Sequence, residues 1–364
     1  MKKVLFIITS PSAGGAETYL LRFLQFAHNN IQPTVLCKKS IDGELSDQYR
    51  ALCTLSYIGV LGLFNPIPYY KLKRFLDKNH FYAICDFSGN FAAWDLLSAK
   101  FAGVHKRIAF YRESRNQFKP NFLRNIYASV VSTLTHLLTT KILSNSYEAL
   151  NHFHPKWQSE RGKFEVIYNG LDMQKLSAKT KAEMRTKLDL PPNAFIVCHS
   201  GRLTSAKNHN MIISCAKYLC DKYSDIYFIM MGRGVGNHYW KEIAETGLTD
   251  RIRFLGYRDD VLDVLKCADL FFFPSFNEGQ PNALIEAMAS GLPFVASDIP
   301  SIKETVPHSF IEDLVSPYDF DRNCKAIEKM YIDSDYRLSK RCEKWAQCHY
   351  ESNLLFNLFL DELL

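Results

Sequence analysis

Short apolar runs alternate with amphipathic stretches along the 364 residues, and this rhythm limits the possible folds more than any other feature of the sequence. Runs such as Val4–Ile8 and Leu270–Phe273 have the length and composition of buried strands. A stretch with helical spacing follows each of them. Strands that alternate with helices predict βαβ units and parallel sheets. We therefore expect an α/β protein.

The rhythm stops and restarts once, which predicts two domains. Residues 173–194 have the composition of a connector, rich in Lys and Ala and containing a Pro-Pro pair, and a new apolar strand begins at Phe195. The length also exceeds what one core usually holds. We predict two doubly wound Rossmann-like domains over residues 1–172 and 173–345. They are expected to face a central cleft, and a C-terminal helix over 346–364 is expected to cross back to the first domain.

The cysteines and the N-terminus favour a cytoplasmic protein. The ten cysteines lie mostly in apolar runs without C-x-x-C spacing, which predicts reduced thiols rather than disulfides or zinc. The start of the chain resembles a signal peptide. However, its apolar run, Val4–Ile8, is short and leads directly into a glycine loop. A first buried strand accounts for it. No apolar run is long enough to span a bilayer.

The segment after Leu270–Phe273 carries the strongest functional signal. Glu278 and Gly279 lie in a loop, and Asn282 is a good N-cap, so a helix is predicted to begin there with Glu286 one turn inside. A helix start attracts a diphosphate, and a glycine lets the backbone approach it. Taken singly, Glu286 has an alternative role as a complement to the helix dipole. Glu278 has one as a solvated loop residue.

Together with its neighbours, this segment resembles glycosyltransferase family four, the retaining glycosyl transferases group 1 with the GT-B fold. The resemblance is carried by E-G-x-P-x-A-x-x-E-A-M-A-x-G-x-P-x-V, which starts at Glu278 and includes Glu286. Other family features occur in order along nearly the whole chain: Gly14 and Gly15, Tyr168–Asp172, Gly201-Arg202-Leu203, Lys207-Asn208, Gly232, and Gly256-Tyr257.

The resemblance implies that the second domain binds a nucleotide sugar, with UDP as the default nucleotide and no cofactor. Arg202 and Lys207 occupy the positions that contact the diphosphate, and with Glu278 they are the predicted catalytic residues. Without the nearby glutamates, the two basic residues would indicate only an exposed loop. The other predicted donor-binding residues are Glu286, Gly279, Gln280, Pro281, Asn282, Gly232, Tyr257 and Arg258. Glu278 and Glu286 are interpreted as positioning groups rather than as an acid/base pair.

A metal is not expected. We identify no Asp-x-Asp motif of the kind used by metal-dependent transferases in the donor half. Asp333-Ser334-Asp335 has that spacing, but it lies in a late helical region where we predict a helix cap.

The first domain has its own predicted acceptor and phosphate loop. The resemblance assigns Gly14 and Gly15 to a loop that closes over the donor phosphates and the acceptor, although the two glycines alone would indicate a generic turn. Many relatives carry a histidine after the strand that corresponds to 107–111, and this chain has Arg112 and Glu113 instead. Either residue takes the place of that histidine, or both have packing or surface roles.

The first half is basic. Residues 1–172 contain 21 Lys and Arg against 12 Asp and Glu, a balance of +9, whereas the remaining 23 and 26 give −3. Two clusters mix these cations with aromatic residues, one over 69–81 and one over 106–124. They suit a phosphate-bearing acceptor such as a polyprenyl-diphosphate-linked glycan, or docking on an anionic membrane from the cytoplasmic side. A solvated basic face is the alternative. Nucleic acid is not expected, because no binding module is present.

The predicted function is the transfer of a hexosyl or N-acetylhexosaminyl unit to a glycan or lipid-linked acceptor, with retention, in surface polysaccharide, lipopolysaccharide or glycoconjugate synthesis. Two alternatives remain open. One is a sugar-nucleotide epimerase or a phosphorylase on the same fold, and the other is a non-catalytic nucleotide-sugar-binding subunit.

Overall fold

The structure is a computed structural model that describes residues 1–58, 67–112 and 122–364, without the side chains of residues 122–125. The chain folds into two compact units. Unit 1 comprises Met1–Gly170 together with Ser352–Leu364, and unit 2 comprises Leu171–Glu351. In the described part of the chain, no helix is long and apolar enough to cross a membrane.

Unit 1 is built on a parallel sheet whose described strands number seven. They are β1 (Lys2–Ile8), β2 (Ile31–Cys37), β3 (Thr54–Tyr57), β4 (Ala83–Asp86), β5 (Lys106–Tyr111), β6 (Lys141–Ser144) and β7 (Phe164–Val166). Their order in the sheet is β3-β2-β1-β4-β5-β6-β7. The chain thus moves outward from β1 to one edge and then returns to the other side of β1. The switch point lies between β1 and β4.

Helices cover both faces of this sheet because its strands are apolar on both sides. They are α1 (Gly15–Ala27), α2 (Ser46–Leu52), α3 (Ile67–Asn79), α4 (Ala93–Phe101), α5 (Phe122–Leu138) and α6 (Tyr147–Phe153). Residues of β1 alternate between two separate cores. Phe6 packs with α1, and Leu5 and Ile7 pack with α3 and α4. The run Val4–Ile8 is therefore a buried central strand, as predicted.

Unit 2 repeats the same plan with five described strands. They are β8 (Phe195–Ser200), β9 (Ile226–Met231), β10 (Ile252–Gly256), β11 (Leu270–Phe273) and β12 (Phe294–Ala296), in the order β10-β9-β8-β11-β12. Its helices are α7 (Lys181–Lys187), α8 (His209–Lys222), α9 (Val235–Ala244), α10 (Val261–Leu265), α11 (Asn282–Ala289), α12 (Pro300–Thr305), α13 (Phe320–Ile332), α14 (Ser334–Ser339) and α15 (Glu343–His349). All strand pairs in both sheets are parallel, which confirms the two doubly wound domains.

The predicted connector contains a helix that the composition did not indicate. Thr180 and Glu183 form a capping box at the start of α7, so two orphan amides are satisfied and a seven-residue helix forms. Arg185 of this helix is buried, and its guanidinium bonds the Asp269 carboxylate at 2.7 Å. The segment is therefore part of unit 2 rather than a free linker.

The last helix, α16 (Ser352–Leu363), belongs to unit 1. Its Phe356 and Phe359 pack against Phe23 of α1, with ring centroids 5.8 and 4.5 Å away. The helix that returns to the first unit starts at Ser352. Residues 346–351, which were predicted to belong to it, lie in unit 2, because α15 packs against α11.

Several local predictions can be compared directly with the structure. All ten cysteines are free thiols, eight of them buried, with Cys53 partly buried and Cys348 exposed. Asp333 caps α14, where its carboxylate accepts a hydrogen bond from the Tyr336 amide at 2.8 Å, so the predicted helix cap is confirmed.

Candidate active site

The loop after β8 presents an unengaged basic side chain. Arg202 is exposed, and its guanidinium makes no hydrogen bond or ion pair with a described residue. The backbone beneath it is fixed, because the Gly201 amide donates to the Met231 carbonyl at 2.8 Å and the Leu203 amide donates to the Arg233 carbonyl at 3.0 Å. A well-held loop thus displays a long cationic side chain, which suits an anionic ligand.

The neighbouring loop after β9 is packed so closely that it requires glycine. A Cβ atom at Gly232 would overlap the carbonyl oxygen of Gly201. Gly232, a predicted donor-binding residue, therefore joins two loops of the sheet edge. The next residue, Arg233, is exposed, and its guanidinium lies 5.4 Å from the Tyr257 ring centroid. The sequence predictions did not include Arg233, although a basic residue between two glycines after an apolar strand was the available signal.

Lys207 and Glu278 meet at the switch point of the unit 2 sheet. The chain proceeds from β8 outward to β10 and then returns to β11 on the other side of β8, so a crevice opens between the ends of β8 and β11. Lys207 follows β8, Glu278 follows β11, and the Lys207 ammonium donates to the Glu278 carboxylate at 2.7 Å. Their side chains are 19% and 11% exposed. Two of the three predicted catalytic residues are therefore in direct contact.

Asn208 holds the two loops in position. Its backbone is left-handed, with φ 52°, and its buried side-chain amide donates to the carbonyls of Pro274 and Pro317 at 3.0 and 2.9 Å. An asparagine is one of the few residues that tolerates this backbone conformation. The Phe276 amide adds a bond to the Ala206 carbonyl at 2.8 Å. These bonds fix the distance between the Lys207 turn and the Glu278 loop.

The helix that follows the Glu278 loop begins as predicted, but its cap differs. Asn282 is the first residue of α11, and Pro281 is the N-cap, so the prediction that Asn282 caps the helix was wrong. Pro281 has no side-chain oxygen and makes no capping hydrogen bond. Glu286 is partly exposed on this helix. The start of α11 still favours an anion, because the helix dipole is positive at this end.

The remaining predicted donor residues lie in different environments. Gly279, next to Glu278, is partly exposed, whereas Gln280 is only 7% exposed. Tyr257 is 66% exposed. Arg258 donates two hydrogen bonds to the Asp260 carboxylate, both at 2.6 Å. The structure therefore leaves Tyr257 open to a ligand, buries Gln280 and engages Arg258 with Asp260.

Two buried imidazoles lie beneath the Arg202 loop. His199 Nδ1 is 3.0 Å from the Phe272 carbonyl, and His209 Nε2 is 3.3 Å from the Gly201 carbonyl. Burial lowers the pKa of both, that of His209 to about 4. Both rings are consequently neutral near pH 7, and His209 helps to position the Gly201 carbonyl. The sequence predictions did not include this pair, because a histidine inside an apolar strand, as His199 is, or at the start of a helix, as His209 is, resembles an ordinary structural residue.

In unit 1, carboxylates occupy the surroundings of the predicted phosphate loop. Gly14 is the N-cap of α1 and Gly15 is its first residue. The Ala13 amide donates to the Glu44 carboxylate at 3.1 Å. Glu17, in the first turn of α1, would obstruct a side chain at Gly14. Because the loop already has acidic neighbours, its start is less favourable to a phosphate than the two glycines suggested.

Arg112, one of the two predicted replacements for the histidine of the family pattern, directly follows β5. Its guanidinium carbon is 3.8 Å from the Tyr19 ring centroid and 5.0 Å from that of Phe110. Its Nε and Nη1 atoms are buried and bond no described residue. Burial lowers the pKa of this guanidinium to about 10. Glu113, the other predicted replacement, lies outside the described residues.

The structure separates the predicted basic clusters. Lys71, Arg74 and Lys78 are exposed on one face of α3 beside Tyr70. Arg107 instead donates to the carbonyls of Leu138 and Val104, so it is a structural residue. Much of the second cluster lies outside the described side chains, namely Arg115, Phe118, Lys119, Phe122 and Arg124.

The family assignment comes from unit 2. Residues 180–349 match the model described as "Glycosyl transferases group 1", and this segment contains all the predicted catalytic and donor-binding residues. The matched segment, just under half of the chain, belongs to the glycosyl transferases group 1. The recognition made from the Glu278–Glu286 motif is therefore confirmed. Together with the curated relatives described next, this match shows that the chain is a glycosyltransferase.

Curated relatives of this transferase match both units. It is 25% identical over 355 residues to the Escherichia coli UDP-Gal:alpha-D-GlcNAc-diphosphoundecaprenol alpha-1,3-galactosyltransferase, covering 93% of this chain and 91% of the relative. It is 24% identical over 315 residues to the putative glycosyltransferase EpsF of Bacillus subtilis, covering 84% and 81%. The Staphylococcus aureus capsular polysaccharide biosynthesis glycosyltransferase CapH is 27% identical over 312 residues, covering 82% of each chain.

Solved structures support the fold. Anabaena HepE in complex with UDP and glucose has a TM-score of 0.80 at 19% identity and covers 100% of this chain and 99% of its own. A glycosyltransferase from Rickettsia africae has a TM-score of 0.81 at 18% identity, covering 99% and 97%. At these identities the likeness shows the fold alone. The GT-B fold expected from the sequence is confirmed.

Proposed function

We propose that this transferase moves a sugar from a UDP-sugar to a glycan carried on a polyprenyl diphosphate, with retention of anomeric configuration. The observation that carries the proposal is the Lys207–Glu278 pair at the switch point, with the unengaged Arg202 on the same loop as Lys207. The E. coli relative uses UDP-galactose and a diphosphoundecaprenol acceptor, and HepE binds UDP. The biosynthetic setting that we propose is the assembly of a surface polysaccharide or lipopolysaccharide.

The proposed chemistry assigns the charge on the departing diphosphate to Arg202 and Lys207. As the bond from the anomeric carbon to the phosphate oxygen breaks, negative charge develops on that oxygen. A guanidinium and an ammonium that are already positioned stabilise it without reorganisation. The acceptor oxygen attacks the same face of the sugar, and its proton passes to the departing phosphate. Loss of one such electrostatic contact costs roughly 3–4 kcal/mol of transition-state stabilisation.

The two glutamates have separate proposed roles. Glu286, on α11, accepts hydrogen bonds from the ribose hydroxyls, as carboxylates do in other nucleotide sites. Glu278 contacts the transferring sugar and holds Lys207 against the diphosphate. Because one Glu278 oxygen is 2.7 Å from the Lys207 ammonium, this carboxylate is interpreted as a positioning group rather than a general base.

Donor binding tests the first half of the proposal. A thermal-shift screen with UDP-, GDP- and ADP-sugars should select the UDP compounds, since a ligand at a hundred times its Kd stabilises the protein by about 2.7 kcal/mol. NMR of the product should show the anomeric configuration of the donor. Release of UDP only in the presence of an acceptor distinguishes transfer from epimerisation, and its absence with every acceptor would support a non-catalytic subunit.

We further propose that the reaction needs no divalent cation or cofactor, since Arg202 and Lys207 supply the positive charge. Turnover should therefore be unchanged by EDTA. An activity that EDTA abolishes and Mg²⁺ restores would contradict this part of the proposal.

The acceptor side of the proposal depends on α3. Its exposed face carries Lys71, Arg74 and Lys78 together with Ile67 and Tyr70, which are 59% and 64% exposed. Cations beside apolar groups favour an anionic lipid surface, with about 1 kcal/mol contributed by each basic residue near it. We propose peripheral docking at the inner face of the membrane. Sedimentation with phosphatidylglycerol vesicles at low salt should capture the protein, and phosphatidylcholine vesicles should not. Equal sedimentation with both kinds of vesicle would contradict the proposed docking on an anionic membrane.

A further inference from the structure

An aromatic stack lies beside the proposed sugar-holding loop of unit 2. The rings of Phe276 and Tyr318 have centroids 4.9 Å apart and an interplanar angle of 27°. Tyr318 is 78% exposed, and its hydroxyl bonds no described residue. An exposed tyrosine alone needs no explanation. Here, however, one face of the ring is supported by Phe276 and the other is available.

The stack is fixed to the candidate active site by buried hydrogen bonds. The side-chain amide of Asn208 donates to the carbonyls of Pro274 and Pro317, which lie two residues and one residue before the stacked pair. The Phe276 amide bonds Ala206, next to Lys207. Both rings are thus held on the backbone segments that the Lys207 turn organises. A rigid ring loses little conformational entropy when a ligand covers it.

The position of the stack selects the class of ligand. Phe276 lies two residues from Glu278, the proposed sugar contact, whereas Glu286, the proposed ribose contact, lies further along the chain on α11. A flat aromatic face has a negative quadrupole, and the axial C–H groups of a pyranose are weakly positive. Such a pair needs no charged partner. A nucleobase would also stack on an aromatic ring, but the proposed ribose contact is on the other element.

We propose that Tyr318, supported by Phe276, is a stacking platform for a pyranose ring of the donor sugar or the acceptor glycan. This inference builds on the proposed function, since it assigns a sugar contact to the same site. It adds a specificity-determining residue that the family motif does not contain.

The test compares Tyr318→Ala and Tyr318→Phe with the wild-type chain. Trp240→Ala is the matched control, because Trp240 is 56% exposed on α9 of the same unit. Thermal unfolding should be unchanged in all three variants, since both residues are exposed. Calorimetry measures the affinity for UDP, for UDP-glucose and for UDP-galactose. The UDP-saturated protein is then titrated with an N-acetylglucosaminyl-diphosphate undecyl lipid and with the undecyl diphosphate that lacks the sugar.

We expect Tyr318→Ala to weaken a sugar-dependent affinity about fivefold while UDP affinity stays constant. Tyr318→Phe should bind like wild type, because it keeps the ring face. A change confined to the UDP-sugar identifies the donor sugar, and a change confined to the glycosylated lipid identifies the acceptor. The inference is overturned if Tyr318→Ala matches Trp240→Ala in every titration, or if UDP itself weakens equally, which would indicate a nucleobase contact.

The same titrations separate failure of the platform from failure of the proposed function. A wild-type chain that binds UDP but gains nothing from either sugar contradicts the platform and leaves the nucleotide site intact. A wild-type chain that binds neither UDP nor the glycosylated lipid contradicts the proposed function as well.

Discussion

The Lys207 ammonium donates a hydrogen bond of 2.7 Å to the Glu278 carboxylate, and this bond joins the loops that end β8 and β11. The two residues are separated by 71 positions in the sequence, yet the strand order places them together at the point where a doubly wound sheet binds its ligand. In the function that we propose, this ion pair has two roles. It orients the Lys207 ammonium for the diphosphate, and it keeps the Glu278 carboxylate beside the transferring sugar.

Substitution of this pair should affect turnover more than folding. Lys207→Met removes the charge that we assign to the leaving diphosphate, so kcat should fall about 10²- to 10³-fold and UDP affinity should also fall. Glu278→Gln should lower kcat while UDP affinity changes less, because the diphosphate contacts remain. Lys217→Met, which breaks the exposed ion pair with Glu242, is the control and should leave kinetics unchanged. A Glu278→Gln enzyme with full turnover would refute the assignment of this carboxylate.

Arg202 and Arg258 should behave differently even though both were predicted from the sequence to contact the donor. Arg202 is exposed and unengaged, whereas Arg258 is held in a bidentate pair with Asp260. Arg202→Gln should therefore weaken UDP binding at least tenfold without a change in melting temperature. Arg258→Gln should leave UDP affinity within about twofold of wild type, because surface pairs of this kind contribute roughly 0–1 kcal/mol to stability only. Calorimetric titration with UDP measures both. An equal loss of UDP affinity in the two variants would show that Arg258 also contacts the donor.

The contrast between Arg202 and Arg258 shows which features can be predicted from the sequence and which cannot. The strand and helix alternation, the two domains and the Glu278–Glu286 segment were predictable, because periodicity and local motifs depend on nearby residues. The pairing of Arg258 with Asp260 and of Lys207 with Glu278 was not, because it depends on side-chain conformation and on strand order. The cap at Pro281 was missed for a related reason. Asn282 has the better capping chemistry, but the proline before it already sets the backbone at the helix start.

The buried histidines predict loss of stability in mild acid. Burial lowers the pKa of His154 and of His209 to about 4, against 6.5 in the unfolded chain. The unfolded state therefore binds more protons between pH 6.5 and 4, and the free energy of unfolding falls as the pH drops through this window. Each of the two histidines should lower the free energy of unfolding by about 2 kcal/mol between pH 7 and pH 5. Urea titrations at the two pH values measure the loss, and His154→Phe should reduce it. A free energy of unfolding that is equal at the two pH values would contradict these burial effects.

The ion cluster of unit 1 should be sensitive to loss of its cation. The Lys38 ammonium forms ion pairs with Asp95, at 2.7 Å, and with Asp86, at 3.2 Å, and both carboxylates are essentially buried. Desolvation raises the pKa of Asp95 well above its ordinary value, although Lys38 opposes this shift. Lys38→Met leaves two carboxylates buried without a counter-charge, which should cost about 3–5 kcal/mol of stability. The exposed pair of Lys73 and Asp77 provides the control, Lys73→Met, which should cost less than about 0.5 kcal/mol. Similar melting temperatures for the two variants would show that the cluster is dispensable.

The C-terminal helix provides a test of how unit 1 is completed. Phe359 is fully buried among Phe6, Phe23 and Phe110, with ring centroids 4.5 to 6.4 Å away. Phe359→Ala would leave a cavity in the centre of this core, so the free energy of unfolding should fall by about 3–5 kcal/mol. Leu358, the preceding residue, is 46% exposed, and Leu358→Ala should cost less than about 1 kcal/mol. Because α16 belongs to unit 1 and the proposed donor site belongs to unit 2, UDP affinity measured below the melting temperature should be equal in both variants. A loss of UDP binding in Phe359→Ala without unfolding would show that the core of unit 1 also shapes the nucleotide site.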